Sequence, residues 1–302
     1  MKTESLQTPQ ALTWLDGIFK QNGPEKYDYF TLNNALQYIE EEIQNGNLEI
    51  ETIEKKFFNG RFVCDQASVI GHSRSKPYGY AGDFSIIDRI YTMDASPEHK
   101  KWDEYALSQD AAKAVRNRKD YFKKIVSGRL PNGGHLLNAG SGPARDLMEL
   151  YHEGEHQELL TTCVEMDERA IAYAKELTTA FTDRIRYVHN NILSFKPQQR
   201  FDMIWSAGLF DYSDDSTCVL MLKKFKNWLK PGGEIVIGNF NQDNNPSRSF
   251  MELVCDWYLI HRNSEDLLSL ARQAGFEFND IHVESECEGI NLFLRLSNSQ
   301  PN

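Results

Sequence analysis

His135-Leu136-Leu137-Asn138-Ala139-Gly140-Ser141-Gly142-Pro143-Ala144 is the stretch on which the fold turns. Its first five residues make a short apolar run ahead of a cluster of turn formers, which predicts a buried strand. Gly140 and Gly142 follow at once. Lacking Cβ atoms, they let the chain turn tightly and let a ligand come close to the backbone. The turn lacks the third glycine of the dinucleotide-binding fingerprint, because Ala144 stands there. A helix is expected from about Ala144.

Downstream the same alternation repeats. Residues 159–166 (LLTTCVEM) predict a second strand and 167–180 a helix. Residues 185–189 (IRYVH) and 201–207 (FDMIWSA) predict a third and a fourth strand. A helix over 215–229 meets Lys230-Pro231-Gly232-Gly233, a strong stop signal. A fifth strand is expected over 234–240 and a helix over about 264–274. Residues 276–285 and 291–297 form a closing pair of strands, antiparallel because so few residues join them. The fold class is therefore α/β, a Rossmann-like sheet of seven strands, mainly parallel, with helices on both faces.

Upstream the pattern changes. Residues 1–130 lack the alternation, and 33–45 and 106–126 carry apolar residues at helical spacing. Between them lies Lys76-Pro77-Tyr78-Gly79-Tyr80-Ala81-Gly82-Asp83. The chain divides on this basis into a mostly helical region, 1–130, with a loop suited to cover a ligand, and a sheet domain, 131–302.

The chain has 302 residues and a net charge of −11. That balance opposes a nucleic-acid partner, because phosphate contacts need a basic face. The five cysteines are scattered and form no CxxC pair, so neither a disulfide framework nor a zinc site is expected, and a reducing cytoplasm fits. No His/Asp/Glu cluster has metal-ligand spacing. The first ten residues lack the form of a secretory signal, and no apolar run approaches a membrane span. The oligomeric state is left open.

In a doubly wound sheet, ligands bind outside the carboxyl ends of the strands. Four such ends carry candidate residues. The first is Asn138, Ala139, Gly140, Ser141 and Gly142. The second is Glu165 with Met166, about 25 residues after the glycine turn, where a carboxylate can accept both hydroxyl protons of a ribose. Asp167 better suits the start of the next helix. The third is Asn190, Asn191 and Ile192, able to meet an adenine edge and face, or else a plain turn. The fourth is Ser206, Ala207 and Gly208, small residues that leave room for a ligand, followed by Asp211 and Tyr212.

Together, in this order and spacing, these motifs resemble the class I S-adenosylmethionine-dependent methyltransferase family over about residues 134–297. The resemblance implies S-adenosylmethionine as cofactor, S-adenosylhomocysteine as product, and methyl transfer as the reaction. Asn138 and Asn191 stand where that family more often has an acid. A narrower resemblance spans about residues 70–297. It rests on Lys76–Asp83, Ala114-Val115-Arg116-Asn117-Arg118, Ser206–Tyr212 and Asp256–Arg262. These look like a bacterial methyltransferase group labelled for biosynthesis of an extracellular factor, a 3-hydroxy fatty acid methyl ester. On the chemistry of their loop, Tyr78 and Tyr80 are candidates to cover a sulfonium by cation–π contact, and Asp83 to meet the cofactor's amino group or to cap the following helix.

Methyl transfer from a sulfonium needs mainly proximity, orientation and a dry site. A carboxylate acceptor needs no base, whereas a hydroxyl or amine does. Candidate catalytic residues are Asp211, Tyr212, His261 and Arg262. Arg116 and Arg118 lie two apart on a helix and so face different ways. An arginine, Arg262 or Arg248 among them, can hold a carboxylate bidentately. The expected function is methylation of a small molecule, with a carboxylate-bearing metabolite or a fatty acid in view. The alternatives are a nucleic-acid or protein methyltransferase and a non-catalytic S-adenosylmethionine-binding protein.

Overall fold

The computed structural model describes residues 8–58, 61–154 and 158–298, so the reading of the extreme N-terminus lies outside the described residues. The chain forms two compact units. The first runs to Lys113 and takes in Pro246–Tyr258; the second comprises Ala114–Asn245 and Leu259 onward.

The first unit is helical. It holds α1 (Thr8–Lys20), α2 (Tyr29–Gln44), α3 (Ile50–Phe57), α4 (Val69–Ser75), α5 (Phe84–Thr92), α6 (Lys100–Ser108) and the first turn of α7 (Asp110–Arg129). Its core is aromatic. The Phe19 ring lies 5.4 Å from Phe57, 5.7 Å from Phe62 and 5.0 Å from Trp102. Such tilted pairs add directional attraction to the area they bury. Residues 246–258 follow the fifth strand in sequence but pack here. Phe250 meets Tyr105 edge-on at 5.2 Å, and Arg74 donates to the carbonyls of Leu253 and Val254.

The helical spacing over 106–126 belongs to two helices. Gln109, at φ −57° and ψ 147°, leaves helical geometry and separates α6 from α7. Asp110 then lies in the first turn of α7, where a negative charge suits the helix dipole.

The second unit is built on one sheet: β1 (Gly134–Ala139), β2 (Leu159–Glu165), β3 (Ile185–His189), β4 (Phe201–Ala207), β5 (Leu229–Phe240), β6 (Ile281–Ser285) and β7 (Asn291–Ser297). The remaining helices are α8 (Arg145–His152), α9 (Glu168–Leu177), α10 (Asp215–Trp228) and α11 (Ser264–Gln273). The strand order is β3-β2-β1-β4-β5-β7-β6. β1 to β5 pair in parallel, while β7 is antiparallel to both β5 and β6. The closing pair is antiparallel as expected, but its second member enters the sheet first, between β5 and β6.

Two strands start five residues away from the sequence expectation. β5 starts at Leu229 rather than 234, because Leu229 already pairs with Phe201 of β4; residues 230–233, with Gly232 at φ 74°, then bulge before Glu234 resumes the pairing with Met203. Residues Phe278–Asp280 form a 3-10 turn, so β6 begins only at Ile281. Apolar clusters fill both faces of the sheet. One includes Leu137, Ile204, Ile235 and α10 residues, the other Leu136, Met203, Val236 and residues of α7 and α8. The alternation of neighbours Leu136 and Leu137 between these clusters is the strand period of two. Among the described residues no helix is long and apolar enough to cross a membrane.

Candidate active site

The strand order reverses between β1 and β4, and the turns after β1 to β4 lie at one edge of the sheet. Parallel pairing brings them there. The Gly140 N–H continues the ladder by donating to the Val164 carbonyl, and the Asn190 N–H donates to the Glu165 carbonyl. Ser206 Oγ, buried, donates to the Ala139 carbonyl at 2.9 Å and ties the end of β4 to that of β1.

Gly140 and Gly142 both adopt left-handed backbone, at φ 70° and 53°. A Cβ at position 142 would meet nothing within 4 Å, so the turn leaves open space beside its backbone. Ala144 also sits at φ 55°, fully buried at the start of α8. A non-glycine residue held in that region stores roughly 1 kcal/mol of strain, a feature common near functional sites.

Glu165 links the glycine turn to the next loop. One oxygen accepts the Gly142 N–H at 3.0 Å, and the other accepts those of Met166 at 2.7 Å and Asp167 at 3.0 Å. Asp167 caps α9 through Arg169 N–H, the role its position suggests. Asn191 Oδ1 accepts the Leu193 N–H, while its Nδ2 lies 3.7 Å from Met166 Sδ. Asn191 and Met166 are exposed beside each other, and Ile192 is buried beneath them. These residues present the groups that an adenosyl moiety needs: a carboxylate, an amide edge and apolar faces.

Asn138 is buried on β1, and its Nδ2 meets no hydrogen-bond partner among the described residues. A buried donor left unmet costs about 1–3 kcal/mol, which a ligand acceptor would recover. With the open turn at Gly142, this makes the edge fit the amino-acid end of S-adenosylmethionine as well as its nucleoside.

The candidate catalytic residues fall into two groups. Asp211, Arg262 and His261 are buried; Tyr212 is exposed. Asp211 Oδ1 accepts the Phe240 N–H at 2.7 Å, and its carbonyl accepts the Ile260 N–H. Burial pushes its carboxyl up to about 6, opposed by that bond and by the charges of Arg118 and Arg262. The Arg262 guanidinium donates to Asp215, to the carbonyls of Phe210 and Ser213, and to Asn239 Oδ1, at 2.6–3.0 Å. It frames the loop after β4. His261 Nε2 lies 3.0 Å from Asn245 Nδ2, an amide donor, and its Nδ1 lies 3.1 Å from the Leu259 carbonyl. These partners select the neutral ring protonated on Nδ1.

Tyr80 and Asp83 lie in the first unit. Tyr80 is half-buried. Asp83 is fully buried, caps α5 by accepting from Ser85 and Ile86, and bonds His72 Nε2 at 2.7 Å. Its carboxylate is thus engaged by its own helix and by His72.

Two residues of the second unit gain weight from the structure. Asp146, in the first turn of α8, is buried and pushed up to about 6, chiefly by desolvation. Arg118 is buried, whereas Arg116 is only partly so. The local sequence signal for Arg118 was its spacing from Phe122 and Val126. Asp146 carried no signal beyond an acid near a helix start.

Residues 130–275 match a family model described as a methyltransferase domain. A search of curated proteins finds no match. Among solved structures the chain is similar to a possible exported protein from Bordetella parapertussis, with 15% identity, 97% of each chain covered and a TM-score of 0.62. It is also similar to the S-adenosylmethionine-dependent methyltransferase SibL in its apo form. There the identity is 14%, the coverage 83% of this chain and 73% of that one, and the TM-score 0.54. A third is the pyocyanin biosynthetic protein PhzM, with 12% identity, 76% and 66% coverage and a TM-score of 0.52. These likenesses are of fold. The chain thus has the α/β fold of these methyltransferase structures, and its residues 130–275 are similar to a methyltransferase domain.

Proposed function

We propose that this protein transfers the methyl group of S-adenosylmethionine to a small molecule, with a carboxylate-bearing metabolite or a fatty acid as first candidates. The observation that carries the proposal is the convergence of Gly142, Glu165 and the unmet Asn138 amide on one edge of the sheet. The bound cofactor supplies an already activated methyl. The chain's own residues then have to bind, orient and exclude water. Glu165 receives the ribose hydroxyls, Met166, Asn190, Asn191 and Ile192 receive the adenine, and the turn from Ala139 to Gly142 with Ser206, Ala207 and Gly208 borders the methionyl end. Asp211 and Arg262 fix the loop that carries Tyr212, and His261, a neutral ring whose Nε2 accepts from the Asn245 amide, is the candidate base for an acceptor that displaces that amide and must lose a proton. Tyr80 is proposed as a cofactor residue on the chemistry of its loop alone, while Asp83 keeps the helix-capping role.

The net charge of −11 supports a small acceptor over a nucleic acid. The scattered cysteines support a reducing, cytoplasmic setting. The test is calorimetric titration with S-adenosylmethionine, then transfer of labelled methyl to a panel of carboxylic and 3-hydroxy fatty acids. Binding and nuclease-insensitive transfer to a panel member are expected. Binding with label only in protein or nucleic acid would replace the acceptor class, and no binding would remove the function.

A further inference from the structure

Arg118, Phe122 and Val126 recur four residues apart on α7 and so form one stripe of the helix. Phe122 and Val126 are buried in one apolar cluster with Leu136 of β1, Cys163 of β2 and Trp205 of β4. α7 leads into β1 through a short turn and runs back along it, so earlier residues of α7 lie level with later residues of β1. Arg118 therefore comes level with Asn138, two residues beyond Leu136 on the same face of the sheet. Cys163 and Trp205 are the register partners of Asn138. A Cβ at position 208 would stand 3.3 Å from Arg118 Nη1, so the guanidinium also lies against the turn after β4.

This guanidinium serves two buried carboxylates, Asp146 after β1 and Asp211 after β4. The groups around them can be named. Asp146 faces Arg118 from α7 and Glu149 from its own helix, and its charge reaches Cys163 of β2 and Tyr187 of β3. Glu149 is itself held by Lys119 and Lys123. Asp211 faces Arg118 and Arg262, with Cys218 of α10 nearby. Arg262 is hydrogen-bonded to Asp215. Among the described residues Arg118 is the guanidinium that Asp146 and Asp211 share. Beside them the Asn138 amide, more than nine-tenths buried, has no acceptor among the described residues.

We propose that the sulfonium of the methyl donor joins Arg118 in answering these two buried carboxylates, so that Asp146 and Asp211 make the site favour the charged donor over its neutral demethylated product. The proposal deepens the methyltransferase reading and rests on it. The unmet amide supplies a donor for the carboxylate that accompanies the sulfonium, and the two acids supply its counter-charge. When the methyl moves, the C–S bond breaks with its electron pair going to sulfur, and a new bond forms between the methyl carbon and the acceptor. Sulfur becomes neutral, and the two carboxylates lose the charge it offered them. Coulomb attraction falls only as the inverse of distance in a partly buried setting, so contact with sulfur is not required. Both ligands share the same ammonium and carboxylate, and those cancel in the comparison.

The experiment is calorimetry on the full chain with S-adenosylmethionine and with S-adenosylhomocysteine, at pH 5 and pH 7.5. The affinity ratio, donor over product, is expected to rise by about threefold or more between those values as the two carboxyls ionise. Asp146→Asn is expected to flatten that rise and to lower the ratio at pH 7.5 by a similar factor. A ratio that does not rise with pH in the wild-type protein overturns the proposal, and that arm needs no variant to fold. If neither ligand binds the wild-type protein, the methyltransferase reading itself falls.

Discussion

Asp83 and Asp211 occupy matching places in two different regions. Each closes a turn that contains glycine and an aromatic residue, Gly79–Asp83 in the helical unit and Gly208–Asp211 after β4, and each is buried. Their surroundings differ. Asp83 accepts two N–H groups of α5 and the His72 ring, all from its own unit. Asp211 accepts one N–H, from Phe240, and otherwise depends on guanidinium charge to offset its burial. A buried acid fully met by its neighbours builds structure. A buried acid that is incompletely met, with its proton affinity raised, is suited to respond to a ligand.

The largest expected effect lies at the ligand edge. Gly140→Val places a β-branched residue at φ 70°, where the nearest atoms, those of Leu209, are at ordinary distance. Backbone strain rather than a clash is then the cause, and S-adenosylmethionine affinity measured by calorimetry should fall by about 100-fold. Normal affinity would move the donor away from this turn and erase the contrast between the two regions.

Arg262→Ala should lower unfolding free energy by about 3 kcal/mol, because the carbonyls of Phe210 and Ser213 and the Asn239 amide lose their donor. Urea denaturation measures it. Turnover lost with stability intact would assign Arg262 to the substrate instead of the loop. Asp83→Ala should cost about 2 kcal/mol, roughly half from the lost α5 cap and half from the His72 bond. A cost near zero would show that the first region does not use its acid structurally.

The smallest effect is the most discriminating. With its carboxyl raised to about 6, folded Asp211 keeps a proton that the unfolded chain has released above pH about 4. Stability of the ligand-free protein should therefore decline as pH rises through that window. Asp211→Asn keeps an acceptor for Phe240 and should gain about 1 kcal/mol at pH 8 relative to its own change at pH 4, seen in thermal melts across pH. A variant less stable at both values would place Asp211 with Asp83 as a purely structural acid.

By itself the sequence determined the second unit. Short apolar runs, glycine turns and amphipathic segments are local patterns, and local sterics turn them into strands, turns and helices. The strand ends that carry Gly140, Glu165 and Asn191 could be located for that reason, as could the antiparallel closing pair. Only the tertiary structure decided that β7 enters between β5 and β6, that 246–258 joins the helical unit, and that Gln109 divides α6 from α7. It alone showed that Arg262 is spent on the loop after β4, that Asp83 is engaged with His72, and that Arg118 and Asp146 share a buried cluster with Asp211. The reason is physical: whether a charge is met depends on desolvation and on partners brought from distant segments, and no local period encodes either.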